Sequence, residues 1–213
     1  MSILKIIEYG NPILRQSTKE VSKISKKIRT LVNDMLETMY QANGVGLAAP
    51  QVGENLRIFV IDVSDPNAPV DPIVFINPKI IKKSGAVNSF EGCLSFPKAY
   101  TNVRRYKDVL IKAVDLNNRP FVKEAKDGCL LARCIQHEFD HLDGKLFIDH
   151  CRNRFDANSV LSKYNLPSVE EDRLIDEDFL EDEIIKYENE HPEVLEQQRK
   201  ETEETDKYNE RQN

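Results

Sequence analysis

The sequence predicts an α+β fold in which mainly antiparallel strands surround a central helix, and three observations support it. Leu130, Leu131, Ile135, Phe139 and Leu142 recur at near-helical intervals, with Gly144 as a stop. A second apolar stripe, Ile28, Leu31, Val32, Met35, Leu36 and Met39, marks an N-terminal helix that starts at a Ser25 cap and ends about Ala42. Between these helices lie several short strand-like runs separated by turn residues. That order is not a βαβ series, so the strands pair mainly with antiparallel neighbours.

Taken in order, a short apolar strand opens the chain and Asn11-Pro12 turns it. The Ser25 helix follows, and its stripe reads as core. Next comes Gly44-Val45-Gly46-Leu47-Ala48-Ala49-Pro50-Gln51, which has neither GxxxxGK[ST] nor GxGxxG and so is not a phosphate loop. Its small residues let another backbone approach closely, as a peptide lying alongside as an added strand would. Gln51, behind a rigid proline, offers an amide NH₂ to an oxyanion. Alone, the segment is no more than a tight loop. Strands are expected at 56–63, 73–76, 79–83, 109–114 and 120–125, with turns at Asp65-Pro66-Asn67, Ser84-Gly85 and Asn117-Asn118.

Composition bounds the rest. With 213 residues the chain suits one domain plus an appendage, divided here into a domain of residues 1–166 and an acidic extension of residues 167–213. The extension holds 18 acidic and 6 basic residues, a net of −12, whereas the remainder holds 18 and 24, a net of +6. A basic body with an acidic tail attracts polyanions only through non-specific charge, and a merely solvated surface explains it equally well. Within the tail, Leu174, Ile175, Phe179, Leu180 and Ile184 predict some helix between 172 and 187; from His191 onward the apolar content collapses and disorder or a lone solvated helix is expected. No apolar run reaches the roughly 18 residues of a membrane span, and the N-terminus is too short and too soon acidic for a signal peptide. Cys93, Cys129, Cys134 and Cys151 show no disulfide-framework spacing, which predicts a reducing cytoplasm.

Catalytic chemistry is legible in Gln136-His137-Glu138-Phe139-Asp140-His141. Histidines four apart project from one side of a helix, as metal ligands must, and Glu138 beside them is a carboxylate able to take a proton from water activated by the metal. The bland alternative is an exposed turn that happens to hold two histidines, but the chain has only four. A catalytic metal usually takes three protein ligands. Nothing downstream gives the additional histidine or glutamate on a following helix that many metalloproteases use, whereas Cys93 in Glu91-Gly92-Cys93-Leu94-Ser95-Phe96-Pro97 could complete a Cys/His/His set.

Together, the segments Gly44–Gln51, Glu91–Ser95 and Gln136–His141 resemble, in order and separation, the three motifs of the peptide deformylase family, and the resemblance spans residues 1–149. It implies that Cys93, His137 and His141 bind one metal ion, usually Fe²⁺ with Zn²⁺, Ni²⁺ or Co²⁺ able to substitute. It implies that Glu138 is the general acid/base, and that Gln51 and the Leu94 N–H polarise the formyl oxygen. The implied activity is removal of the formyl group from the N-terminal methionine of nascent polypeptides, with release of formate. An apolar methionine pocket is expected from Gly44, Val45, Gly46, Phe90, Leu130 and Cys134. By the same resemblance, Glu91, Asp140 and an arginine are expected to orient the ligands; Arg105 is assigned, with Arg104 competing. The implied partners are N-formylmethionyl nascent peptides and, transiently, the ribosome, with no membrane and no specific nucleic acid; no oligomeric state follows. Two features depart from the family. Tyr100 stands where some members have a substrate-contacting arginine, and the tail is acidic where some bacterial members dock on the ribosome through a basic helix. Those departures keep open a deformylase-fold hydrolase of another small amide or ester, or a deformylase-like binding protein.

Overall fold

Ser25 starts the first helix as its residue type predicts. Its hydroxyl accepts a hydrogen bond from the Ile28 N–H, and α1 (Lys26–Gln41) buries Ile28, Leu31, Val32, Met35 and Met39. The structure, a computed structural model, describes residues 2–65, 67–170 and 173–175, with Pro192 and Lys200. The helix expected between 172 and 187 and the tail from His191 lie almost wholly outside the described residues.

Seven strands follow α1: β1 (Gly46–Ala48), β2 (Ile58–Ile61), β3 (Ile73–Ser84), β4 (Val87–Cys93), β5 (Phe96–Arg105), β6 (Asp108–Val114) and β7 (Pro120–Ala125). Every ladder between them is antiparallel. Five make one sheet in the order β1-β2-β3-β6-β7, and β4-β5 is a separate hairpin inserted between β3 and β6. After β7 come α2 (Leu130–Leu142) and α3 (Arg154–Lys163).

The period-2 alternation of strands decides which helix covers which face. Leu47, Ile58 and Val60 point into the cluster under α1, whereas Ala48, Phe59 and Ile61 point into the cluster under α2 with Ala132, Cys134, Ile135 and Leu142. Phe59, Phe75 and Phe121 add a run of ring contacts at 4.5 and 5.4 Å between centroids. Gly144 ends the α2 turn at φ +69°, where a Cβ would lie 2.5 Å from the Arg15 carbonyl oxygen.

The structure departs from expectation at four points. The opening strand is absent: residues 2–8 make no ladder, and Pro12–Arg15 form a 3-10 turn. Instead the Ile7 N–H donates to the Gln51 carbonyl at 2.7 Å and the Tyr9 N–H to that of Ser95 at 2.8 Å. Runs 73–76 and 79–83 are one strand, because the Asn77 amide bonds both Val21 backbone groups and carries the chain through the bulge beside Pro78. The β4-β5 hairpin was not expected, since Gly92, Ser95 and Pro97 read as loop punctuation. Nor was α3, which buries only Ala157 and Leu161 and so lacks a strong apolar stripe.

The acidic extension begins by packing on the body. Val169 is fully buried with Leu14, Phe147 and Leu161, and Leu174 joins the same cluster. The Val169 N–H donates to Asn158 and the Ile175 N–H to the Asp149 carbonyl, each at 2.8 Å. Re-exposing one fully buried and one partly buried side chain costs about 2–4 kcal/mol. A chain cut after Leu166 is therefore expected to melt roughly 4–15 °C below one cut after Ile175. Calorimetry on both truncations checks this, and equal melting temperatures would show that the 167–175 segment contributes no stability.

Candidate active site

The ends of three elements converge on one cleft. The turn before β1 brings Gly44 and Val45, and β1 brings Gly46, to one wall; β4 brings Phe90, Glu91 and Cys93 to the other, and α2 forms the floor with His137 and Glu138. The cleft measures about 380 Å³ and is mostly apolar. All six expected pocket residues, Gly44, Val45, Gly46, Phe90, Leu130 and Cys134, line it, as do Gln51 and Leu94.

Cys93 Sγ and ring nitrogens of His137 and His141 lie within 4.8 Å of one another, and Cys93 Sγ is 3.3 Å from His141 Nε2. One sulfur and two imidazole nitrogens at this spacing fit a single divalent cation with a position left toward the cleft. Glu91 Oε2 is 2.9 Å from His137 Nδ1, so Nε2 is the nitrogen presented for ligation. Glu138 is buried, and its Oε2 has no hydrogen-bond partner among the described residues. A buried carboxylate oxygen without a donor is costly unless something bound there engages it.

Arg105 decides the second tier. It is almost wholly buried and holds Glu91 through two bonds, Nε to Oε1 at 2.9 Å and Nη2 to Oε2 at 2.8 Å, while Nη1 reaches Asp140. Arg104 points elsewhere, as its neighbour on an alternating strand must. His150 Nε2 sits 2.8 Å from Asp140 Oδ2, closing a row that runs His137, Glu91, Arg105, Asp140, His150. Burial pushes both carboxylates up, but Arg105 and His137 outweigh it at Glu91, and His150 and Arg105 outweigh it at Asp140. Both stay well below the usual carboxylate range. At Glu138 burial wins, reinforced by the nearby Glu91 charge, and its pKa rises to about 7. Two neighbouring glutamates are thereby set apart, one fixed as an anion and one able to exchange a proton near neutrality.

Gln51 is oriented from behind, its Oε1 accepting from the Ala48 N–H at 2.8 Å. Its Nε2 faces the cysteine, 3.4 Å from Cys93 Sγ and 3.3 Å from Ser95 Oγ. Gly46 carries no side chain because a Cβ there would lie 2.4 Å from Glu138 Oε1 and 2.8 Å from Cys134 Sγ. Tyr100 lines the cleft and stacks on Phe90 at 5.9 Å, and Gly92 leaves room for its ring.

Some contributors were not singled out from sequence. Gln136 is buried and bonds both backbone groups of Tyr106, at 2.9 and 2.8 Å, which fixes the roll of α2. Its place inside the histidine motif was the available signal. Ser95 had the same signal from its place in the cysteine motif, whereas His150 carried none, because its partner Asp140 is on another element. Ser89 and Arg133 also line the cleft, which makes it more polar than the expected apolar pocket.

Comparison with known proteins agrees with this geometry. Residues 3–156 match the family described as polypeptide deformylase. The peptide deformylase of Endomicrobium trichonymphae is 53% identical over 150 residues, covering 70% of this chain and 87% of that protein. That of Dictyoglomus turgidum is 49% identical over 147 residues, covering 69% and 92%. Among solved structures, the peptide deformylase from Synechococcus elongatus in complex with actinonin superposes with a TM-score of 0.71 at 45% identity, covering 77% of this chain and 87% of that one. The peptide deformylase from Legionella pneumophila gives 0.70 at 42% identity, covering 77% and 96%. A shared fold, this level of identity and a match over most of the chain lead to one conclusion: the chain belongs to the polypeptide deformylase family.

Proposed function

We propose that this deformylase hydrolyses the formyl amide at the N-terminal methionine of newly made polypeptides, with Cys93, His137 and His141 holding one ferrous ion and Glu138 moving the proton. The observation that supports it most is the meeting, beside the floor of one cleft, of three close donor atoms with Glu138, whose Oε2 has no partner among the described residues. When bound, a divalent cation supplies Lewis acidity to the formyl carbonyl and acidifies water.

The chain's own groups account for the remaining steps. The peptide lies along β1 as an added strand, where glycines at 44 and 46 admit a second backbone. Its methionine side chain enters between Val45, Phe90, Leu130 and Cys134. Glu138 accepts a proton from the attacking water and passes it to the leaving amine as the C–N bond breaks. Gln51 Nε2 and the Leu94 N–H donate to the formyl oxygen as negative charge builds there, a contribution of about 3–4 kcal/mol per donor in comparable sites. Glu91 and Arg105 keep the His137 ring in place throughout. Gly46 lets the β1 edge lie close against Glu138, which suits a formyl carbon bearing only hydrogen better than larger acyl groups. Anaerobic kinetics of free-amine release from a formyl-Met peptide and its acetyl counterpart test the whole assignment; comparable rates on both would refute it.

Glu138→Gln is expected to keep the metal and lose turnover by roughly 10²–10⁴-fold, because the amide cannot accept the proton. More than a tenth of wild-type rate at unchanged metal content would remove Glu138 from this role.

Cys93→Ser is expected to lose iron far more readily than Cys129→Ser, Cys134→Ser or Cys151→Ser. Cys129 is exposed, while burial holds the Cys134 thiol up and pushes Cys151 to about 12. Metal analysis of the four variants checks this, and equal iron loss in Cys129→Ser would overturn the ligand set.

A further inference from the structure

The α2 face that carries the ligands continues toward the helix N-terminus through Cys134, Arg133 and Leu130, one and two turns from His137 and Glu138. All three line the cleft, so a cationic side chain stands about one helical turn, roughly 5 Å, from the floor. Arg133 makes no ion pair among the described residues. Its Nη1 reaches Ser89 Oγ at 3.4 Å, and its Nε is buried without a hydrogen-bond partner among them. Ser89 lies across the cleft on β4 and is fully buried. A guanidinium has five N–H donors in a fixed plane, and a single long contact to a hydroxyl leaves most of them without an acceptor from the protein.

Where the methionine side chain enters, as the deformylase reading above places it, the wall therefore holds a donor-rich group among apolar ones. A thioether sulfur is a weak acceptor for such a group, and a sulfoxide oxygen is a strong one. We propose that Arg133, seated against Ser89, is a specificity-determining residue that donates a hydrogen bond to the acceptor at the tip of the substrate's first side chain, so that the cleft takes N-formylmethionine sulfoxide peptides as well as N-formylmethionine peptides. An apolar pocket would reject the oxidised residue, because it would bury a polar oxygen with no partner. This cleft offers that partner.

The test uses the full-length, iron-loaded enzyme and three peptides that differ only in the formylated residue: methionine, norleucine and methionine sulfoxide. Norleucine matches methionine in shape and has no acceptor. The quantity read is the ratio of kcat/KM for the sulfoxide peptide to that for the norleucine peptide. Taken within one protein, this ratio cancels any loss of folding or metal. Arg133→Met is expected to lower it at least about tenfold, chiefly through KM for the sulfoxide peptide, as loss of a charged hydrogen bond would. Arg133→Lys, which keeps a cation, is expected to restore part of it. Should Arg133→Met fail to fold, Arg133→Gln reads the same ratio. A ratio unchanged within twofold between wild type and Arg133→Met or Arg133→Gln overturns the role of Arg133, with the guanidinium then merely covering the helix. A wild-type enzyme that turns over norleucine but rejects the sulfoxide also overturns it. Failure of the iron-loaded wild type on all three peptides overturns the deformylase reading itself.

Discussion

A single buried guanidinium ties α2 to the strands beside it. Arg105, on β5, holds Glu91 on β4 and Asp140 on α2, and through Glu91 it sets the ring of His137. Two carboxylates around one guanidinium leave an excess negative charge in a dry environment, and the imidazoles of His137 and His150 stand beside it. Removing one member of such a set strands an unpaired buried charge, at about 3–5 kcal/mol. The row therefore acts as a unit, and through Glu91 it orients the His137 ring toward the Cys93 and His141 donor atoms. Stability of the pair and precision of the site are the same physical fact here.

Close backbone approach is the second constraint. β1 has to pass near enough to α2 for Gly46 to sit against the Glu138 carboxylate, and no side chain fits between them. The same closeness encloses Glu138, and enclosure is the main cause of its raised pKa. Packing of sheet on helix and the tuning of a proton-exchanging group are thus linked through one missing Cβ. The N-terminal segment reinforces the arrangement from outside, since its backbone holds the carbonyls of Gln51 and Ser95, two residues whose side chains meet beside Cys93. Charge asymmetry along the chain has a local counterpart at the first residues of the acidic tail. Residues 167–175 pack on the body through Val169 and Leu174, so the boundary in composition at Pro167 precedes the last packed residue.

Sequence alone determined what depends on local periodicity and on residue type. The Ser25 cap, the apolar stripes of α1 and α2, the β7 run at 120–125 and the paired histidines with Glu138 all follow from spacings of one to four residues, and the backbone geometry of helices and strands fixes where such residues point. The segments around Gln51 and Cys93 were recognisable as chemistry only together with the histidine motif, through the resemblance of the three to the deformylase family, because each alone has the composition of a loop. Only the tertiary structure decided which distant groups meet. It selected Arg105 over Arg104, joined Gln51 to Ser95, set His150 against Asp140, and placed Arg133 and Ser89 in a cleft whose lining otherwise read as apolar. It also made a hairpin of 87–105, where turn-forming residues pointed to loop. The reason is that a buried charge or donor is satisfied by whatever partner lies within about 3 Å of it, and that partner is set by packing across elements, which no spacing along the chain records.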